Sequence, residues 1–168
     1  MKKRGFENKQ KASHFSNIPI TGLMSDGDTL TLRCKFNFSY FCTQGNHGKA
    51  FSDLSKEEME DLFQKLLDFC RAPLMHWQKQ KHGISTTLAI YEKFPTMSDF
   101  THPKHVPHDV HWGRFRLSKE VRLVGFVVPP DLSKAYHQKT NVLFDCNTFY
   151  IVFLDCNHGF YKSKNKAS

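Results

Sequence analysis

The chain has 168 residues, a formal charge of +8 and a pI near 9.3, with 39% hydrophobic and 14% aromatic residues. That length is one ordinary domain with short tails, and the apolar content excludes global disorder. No apolar run approaches the roughly 18 residues of a membrane span, and the basic start MKKRGFENKQKASHF has no apolar stretch of signal-peptide type behind it, so the expected location is cytoplasmic. The charge is concentrated at the ends: residues 1–16 hold five Lys/Arg against one Glu, and residues 158–168 hold three Lys and no acid. A basic site in the body must therefore be built locally. Five cysteines form no CxxC pair, which points to reduced, buried thiols.

Residues 1–28 lack periodicity and read as a basic arm and loop, ahead of a single domain over 29–161 and a basic tail over 162–168. From Thr29 the run TLTLRCKFNFSYF alternates strictly, which predicts a half-buried strand over 29–41 with Leu30, Phe36 and Phe38 in the core. The Gly-rich TQGNHGK that follows lacks the Gly-Lys-Ser/Thr ending of a phosphate-cradling loop. Ser55-Lys56-Glu57-Glu58 is a capping box opening a helix over 55–71, with Leu62, Phe63 and Leu66 among its core residues. Pro73 breaks that helix and suits the first turn of a second over 73–82, ending at Gly83. TTLAIYE at 86–92 is a short strand. Strands over 112–117 and 120–128 form a β-hairpin turning at Ser118-Lys119, and the nearly continuous apolar TFYIVFLD at 148–155 predicts a strand buried on both faces. Val124, Phe126, Ile151 and Phe153 join the core. The order predicts an α+β fold in which an antiparallel sheet packs on an N-terminal helical hairpin.

His102, His105, His108 and His111 recur every third residue, and Pro103 and Pro107 favour a polyproline-like backbone that would align the rings as a metal comb, with His158 and Cys146 or Cys156 completing a site. The absence of helical His spacing or a CxxC knuckle favours instead a His-rich loop without metal, and no cofactor is expected. Arg114, Arg116 and Arg122 lie on the hairpin, and the last strand delivers Asp155, Asn157, His158 and Tyr161 beyond its end. Guanidinium groups can offset the charge of a pentacovalent phosphate while His protonates a leaving alkoxide, so this set is equipped for phosphoryl transfer. Trp112 and Tyr161 could stack bases, with Arg116, Lys119, Lys162 and Lys164 as further cationic contacts to RNA.

The segment HWGRFRLSKEVRLVGFVV, followed by a last strand ending in DCNHGFY, resembles the C-terminal half of the RelE/YoeB/HigB-type bacterial toxins. The resemblance covers roughly residues 102–161. It implies a RelE-like fold with an N-terminal extension and an insertion at 131–147. It further implies a metal-independent endoribonuclease (mRNA interferase) in which the RNA 2′-hydroxyl attacks the adjacent phosphate. The partners implied are RNA, including ribosome-bound mRNA, and a cognate antitoxin or inhibitor protein, with no membrane. Arg122 matches the Arg of the Arg-Leu-Val stretch that stabilises the scissile phosphate, Trp112 and Arg114 match the Trp-x-Arg start of the hairpin, and His158 matches the C-terminal general acid. The Glu-Pro general base is replaced by His102-Pro103, which leaves His102, Asp109 and Glu120 as candidate bases. A non-catalytic nucleic-acid- or protein-binding module on the same fold is the alternative.

Overall fold

In a computed structural model, residues 30–44, 47–83 and 85–162 are described. The arm over 1–28, together with Lys164 and the rest of the tail beyond Lys162, lies outside the described residues. Seven strands and two α-helices are placed among them: β1 (Lys35–Asn37), α1 (Lys56–Phe69), α2 (Leu74–Lys79), β2 (Lys81–His82), β3 (Ser85–Thr86), β4 (Leu88–Tyr91), β5 (His111–Arg116), β6 (Arg122–Val127) and β7 (Thr148–Asp155). The fold is α+β. Its main sheet runs β1-β7-β6-β5-β4, and β2 with β3 makes a separate two-stranded ribbon.

β7, β6, β5 and β4 pair antiparallel, but β1 pairs parallel to β7, so the sheet is mixed rather than antiparallel throughout. The strand expected over 29–41 shrinks to three residues. Leu30–Leu32 is a 3₁₀ turn, and at the other end the Asn37 side chain accepts from Ser39 N–H at 2.9 Å, a local bond that ends the ladder. That turn carries the chain past the sheet edge. Phe36 packs toward the helices, Tyr40 packs on Phe126 and Tyr150 on the other face, and Leu30 and Phe38 are exposed instead of core.

α1 starts as its capping box dictates: Glu58 N–H donates to Ser55 Oγ at 3.1 Å, and Ser55 N–H donates to the Glu58 carboxylate at 2.8 Å. Leu62, Leu66 and Phe69 go under, whereas Phe63, one step around from Leu62, is 56% exposed and not core. α2 is six residues long, with Pro73 at its N-cap position rather than in its first turn. The chain leaves helix at Gln80 and forms the β2–β3 ribbon in place of a last helical turn, with Gly83 supplying φ +65° at the bend.

The two sheet faces carry separate cores. One buries Leu88, Phe115, Leu123, Ile151 and Leu154 under α1 and α2. The other buries Trp112, Val124, Phe126 and Phe153 under Phe100, Val106, Val110 and Phe160, which come from the 92–110 connection and the C-terminal segment. β7 is buried along nearly its whole length, as a strand covered on both sides must be. Among the described residues, no helix is long and apolar enough to cross a membrane.

Candidate phosphate-binding site

On β5 the alternation places Trp112, Arg114 and Arg116 on one face, and pairing with β6 sets Phe126, Val124 and Arg122 opposite them in that order. The face is apolar at the Trp112 end and cationic at the Arg116 end. The 92–110 connection covers the first, while at the second Arg114 and Arg116 are half-buried and Arg122 is buried.

Three guanidinium groups converge there with Ser85 and Thr86 around a small cavity of about 10 Å³. Arg114 Nε donates to the Tyr91 hydroxyl at 2.8 Å. Arg116 donates to Ser85 Oγ at 3.1 Å and makes longer bonds to the His82 and Ser118 carbonyls. Arg122, only 4% exposed, donates through Nη1 to the Ser118 and Val121 carbonyls, both at 2.9 Å, and through Nη2 to the Lys119 carbonyl at 3.2 Å. Burial first, and then the repulsion of Arg114 and Arg116, pushes the Arg122 guanidinium down to about 10.

None of the three arginines has a carboxylate ion-pair partner among the described residues. Asp155 stands opposite Arg122 in the ladder, but its carboxylate is engaged elsewhere: it accepts from the N–H groups of Asn157 at 3.1 Å, Gly159 at 3.0 Å and Phe160 at 3.0 Å. Those bonds shape the turn after β7 and carry His158 through φ +56° into an exposed position.

Beside the arginines opens a concavity of about 600 Å³ lined by Arg116, Lys119, Glu120, Cys156, Asn157 and His158. It brings a carboxylate, an imidazole and two cations together from the hairpin turn and the β7 turn. Tyr161, 48% exposed, stacks on Tyr91 with ring centroids 4.9 Å apart, and Tyr91 is the acceptor for Arg114.

Trp112 and His102 stand apart from this group. Trp112 is 1% exposed among Phe94, Phe153 and Phe160, so it is core and presents no face to a base. His102 packs its ring on Trp112 and on His108, with Nδ1 3.0 Å from the Pro103 carbonyl oxygen. Trp112 is four residues from Arg116 along β5, about 13 Å at the rise of a strand, which puts His102 at the far end of the face. Lys162 pairs with Asp99 at 2.5 Å, which fixes the C-terminal segment against the 92–110 connection.

The His comb does not assemble. Val106 N–H bonds back to the Pro103 carbonyl and turns the chain out of the extended path, and His105 lies on Tyr40 while His102 and His108 stack on each other. No group of three or more His, Cys, Asp or Glu suited to a metal ion occurs among the described residues. All five cysteines are free thiols, and burial raises each of them, Cys34 most, to about 12.

Tyr91, Ser85 and the turn-forming role of Asp155 were not readable from periodicity. A carboxylate two residues before Asn157 and four before Gly159 is the local signal that marks Asp155 as an acceptor for its own turn. Searches of family models, curated proteins and solved structures found no match to this chain.

Proposed function

We propose that the protein is a toxin-type endoribonuclease that binds single-stranded RNA at the hairpin turn and cleaves it without metal. The observation that carries this reading is the cluster of three arginines with no carboxylate ion pair among the described residues, of which Arg116 lines a concavity together with Glu120 and His158. Cations gathered without a protein counterion favour an anionic ligand, and a phosphodiester is the anion that also gives an adjacent acid and base something to do.

In this mechanism Glu120 takes the proton of the ribose 2′-hydroxyl, the 2′-oxygen attacks phosphorus, and Arg116 with Lys119 stabilises the added negative charge. His158 gives a proton to the departing 5′-oxygen as the P–O bond breaks. The products are a 2′,3′-cyclic phosphate and a 5′-hydroxyl. Glu120 takes the base role because it shares the concavity with His158, whereas His102 lies behind Trp112. The RelE-like fold, bacterial toxin role, ribosome-bound mRNA as target and antitoxin partner belong to this proposal through the sequence resemblance.

A binding module without turnover is the second reading, favoured by the burial of Trp112 and the distance of His102 from the arginines. The two separate cleanly in His158→Gln and Arg116→Ala. A nuclease loses about 100- to 10,000-fold in rate in His158→Gln while keeping RNA affinity, whereas Arg116→Ala weakens both. Undetectable cleavage by the unaltered chain, with ribosomes present, leaves the binding module.

A further inference from the structure

Arg122 is the residue that the sequence resemblance would set against the scissile phosphate, yet its geometry is that of a clamp. Three of its N–H bonds go to the carbonyls of Ser118, Lys119 and Val121, all in the turn between β5 and β6. The same turn is held from within by Ser118, whose hydroxyl accepts from Glu120 N–H at 3.3 Å and Val121 N–H at 3.1 Å. Leu117 N–H closes it by donating to the Val121 carbonyl at 3.1 Å.

Arg122 is buried, while Lys119 and Glu120 are exposed at the tip it holds. Without the guanidinium the Lys119 carbonyl loses its donor, the Ser118 carbonyl keeps only the 3.3 Å bond from Arg116 Nε, and the Val121 carbonyl keeps the Leu117 and Ser118 N–H groups, so the tip that carries Lys119 and Glu120 would loosen. No alkyl ammonium matches that fan of donors, since a guanidinium offers several N–H groups in one rigid plane.

We infer that Arg122 is a positioning residue: it fixes the turn that presents Lys119 and Glu120 to the concavity and does not itself contact the substrate. This rests on the proposed nuclease reading for its consequence in catalysis, but the clamp can be measured without any RNA. It also gives the like-charge pressure from Arg114 and Arg116 a meaning. The carbonyl fan, helped by the charge of Asp155 across the ladder, holds the buried guanidinium in place.

The test uses the full-length chain, Arg122→Met, Arg122→Lys and Lys119→Ala, with hydrogen exchange followed at the Glu120 and Val121 amides in the absence of RNA. Cleavage of single-stranded RNA is then resolved into kcat and KM. The clamp predicts that Arg122→Met speeds exchange at those two amides by about tenfold or more. It also predicts that kcat falls by about 100-fold through misplacement of Glu120, with KM within about threefold. Arg122→Lys should recover part of both, and Lys119→Ala should lower kcat with KM within about threefold and exchange unchanged.

Unchanged exchange in Arg122→Met together with a raised KM would overturn the clamp and make Arg122 a direct ligand. If Arg122→Met does not fold, Arg122→Lys decides, because faster exchange confined to residues 118–121 supports the clamp and none overturns it. A wild-type chain that cleaves nothing defeats the nuclease reading alone, since the exchange rates still decide whether Arg122 holds the turn.

Discussion

Replacing Asp155 by Asn keeps the shape of a buried side chain and removes one of its two acceptor oxygens. One carboxylate oxygen of Asp155 serves Asn157 N–H and Gly159 N–H, and the other serves Phe160 N–H. With the amide oxygen on the first pair, the new NH₂ faces the Phe160 N–H, donor against donor. With the amide flipped, two bonds are lost instead of one. A bond to a charged acceptor is worth about 1.5–3 kcal/mol, so Asp155→Asn should cost about 2–3 kcal/mol and lower the melting temperature by about 4–12 °C. The loss should be local in origin, with the Phe160 amide exchanging faster and the His158 backbone leaving its left-handed conformation. Urea unfolding gives the free energy, and amide exchange by NMR gives the location. A variant as stable as the parent, with the Phe160 amide still protected, would refute the claim that this carboxylate builds the turn.

Gly125 faces Phe149 and Tyr150 where the β6–β7 register slips, and a methyl there would overlap the Tyr150 carbonyl oxygen and come within 2.7 Å of the Phe149 ring. Gly125→Ala should therefore destabilise by about 1–3 kcal/mol or more, read as a lower urea midpoint. Phe153→Ala should cost about 3–5 kcal/mol, while Phe63→Ala, on the exposed side of α1, should cost under about 1 kcal/mol; equal losses would contradict the separation of the two residues. Cys34 ionises near 9 when unfolded and near 12 in the fold, so its contribution to stability is complete below about pH 9 and is lost as pH rises toward 12. Unfolding free energies measured across that window should fall more steeply for the parent than for Cys34→Ala.

Periodicity and caps located the elements whose surroundings repeat along the chain. β7 is apolar at nearly every position because both its faces are covered, and its bounds follow from that run alone. α1 begins at Ser55 because the cap is a local arrangement of four residues. β1 escaped because alternation over 29–41 carries no mark of where a side chain will compete for the backbone, and Asn37 ends the strand through Ser39 N–H. Phe63 and Leu62 are adjacent in sequence and only the packing of α1 on the sheet separates them. At the site, strand alternation placed Arg114 and Arg116 on one face, while Arg122 joins them through the register that the turn sets. The burial of Trp112 on that same face did not follow from alternation, because it depends on the irregular 92–110 connection and on Phe160 arriving from the end of the chain. The attachment of Arg122 to turn carbonyls likewise depends on the cross-strand register Arg116 to Arg122, which a turn one residue longer would change.

The central claim is that the hairpin turn and the β7 turn together direct the RNA 2′-hydroxyl onto its own phosphate. Its most direct measurement is end-group analysis by mass spectrometry of a single-stranded RNA incubated with the full-length chain in EDTA, beside the same RNA carrying 2′-deoxy at the cleaved position. The account predicts a 2′,3′-cyclic phosphate and a 5′-hydroxyl from the first and no cut at that position in the second. Cleavage of the deoxy substrate, or products bearing a 5′-phosphate and a 3′-hydroxyl, would contradict it.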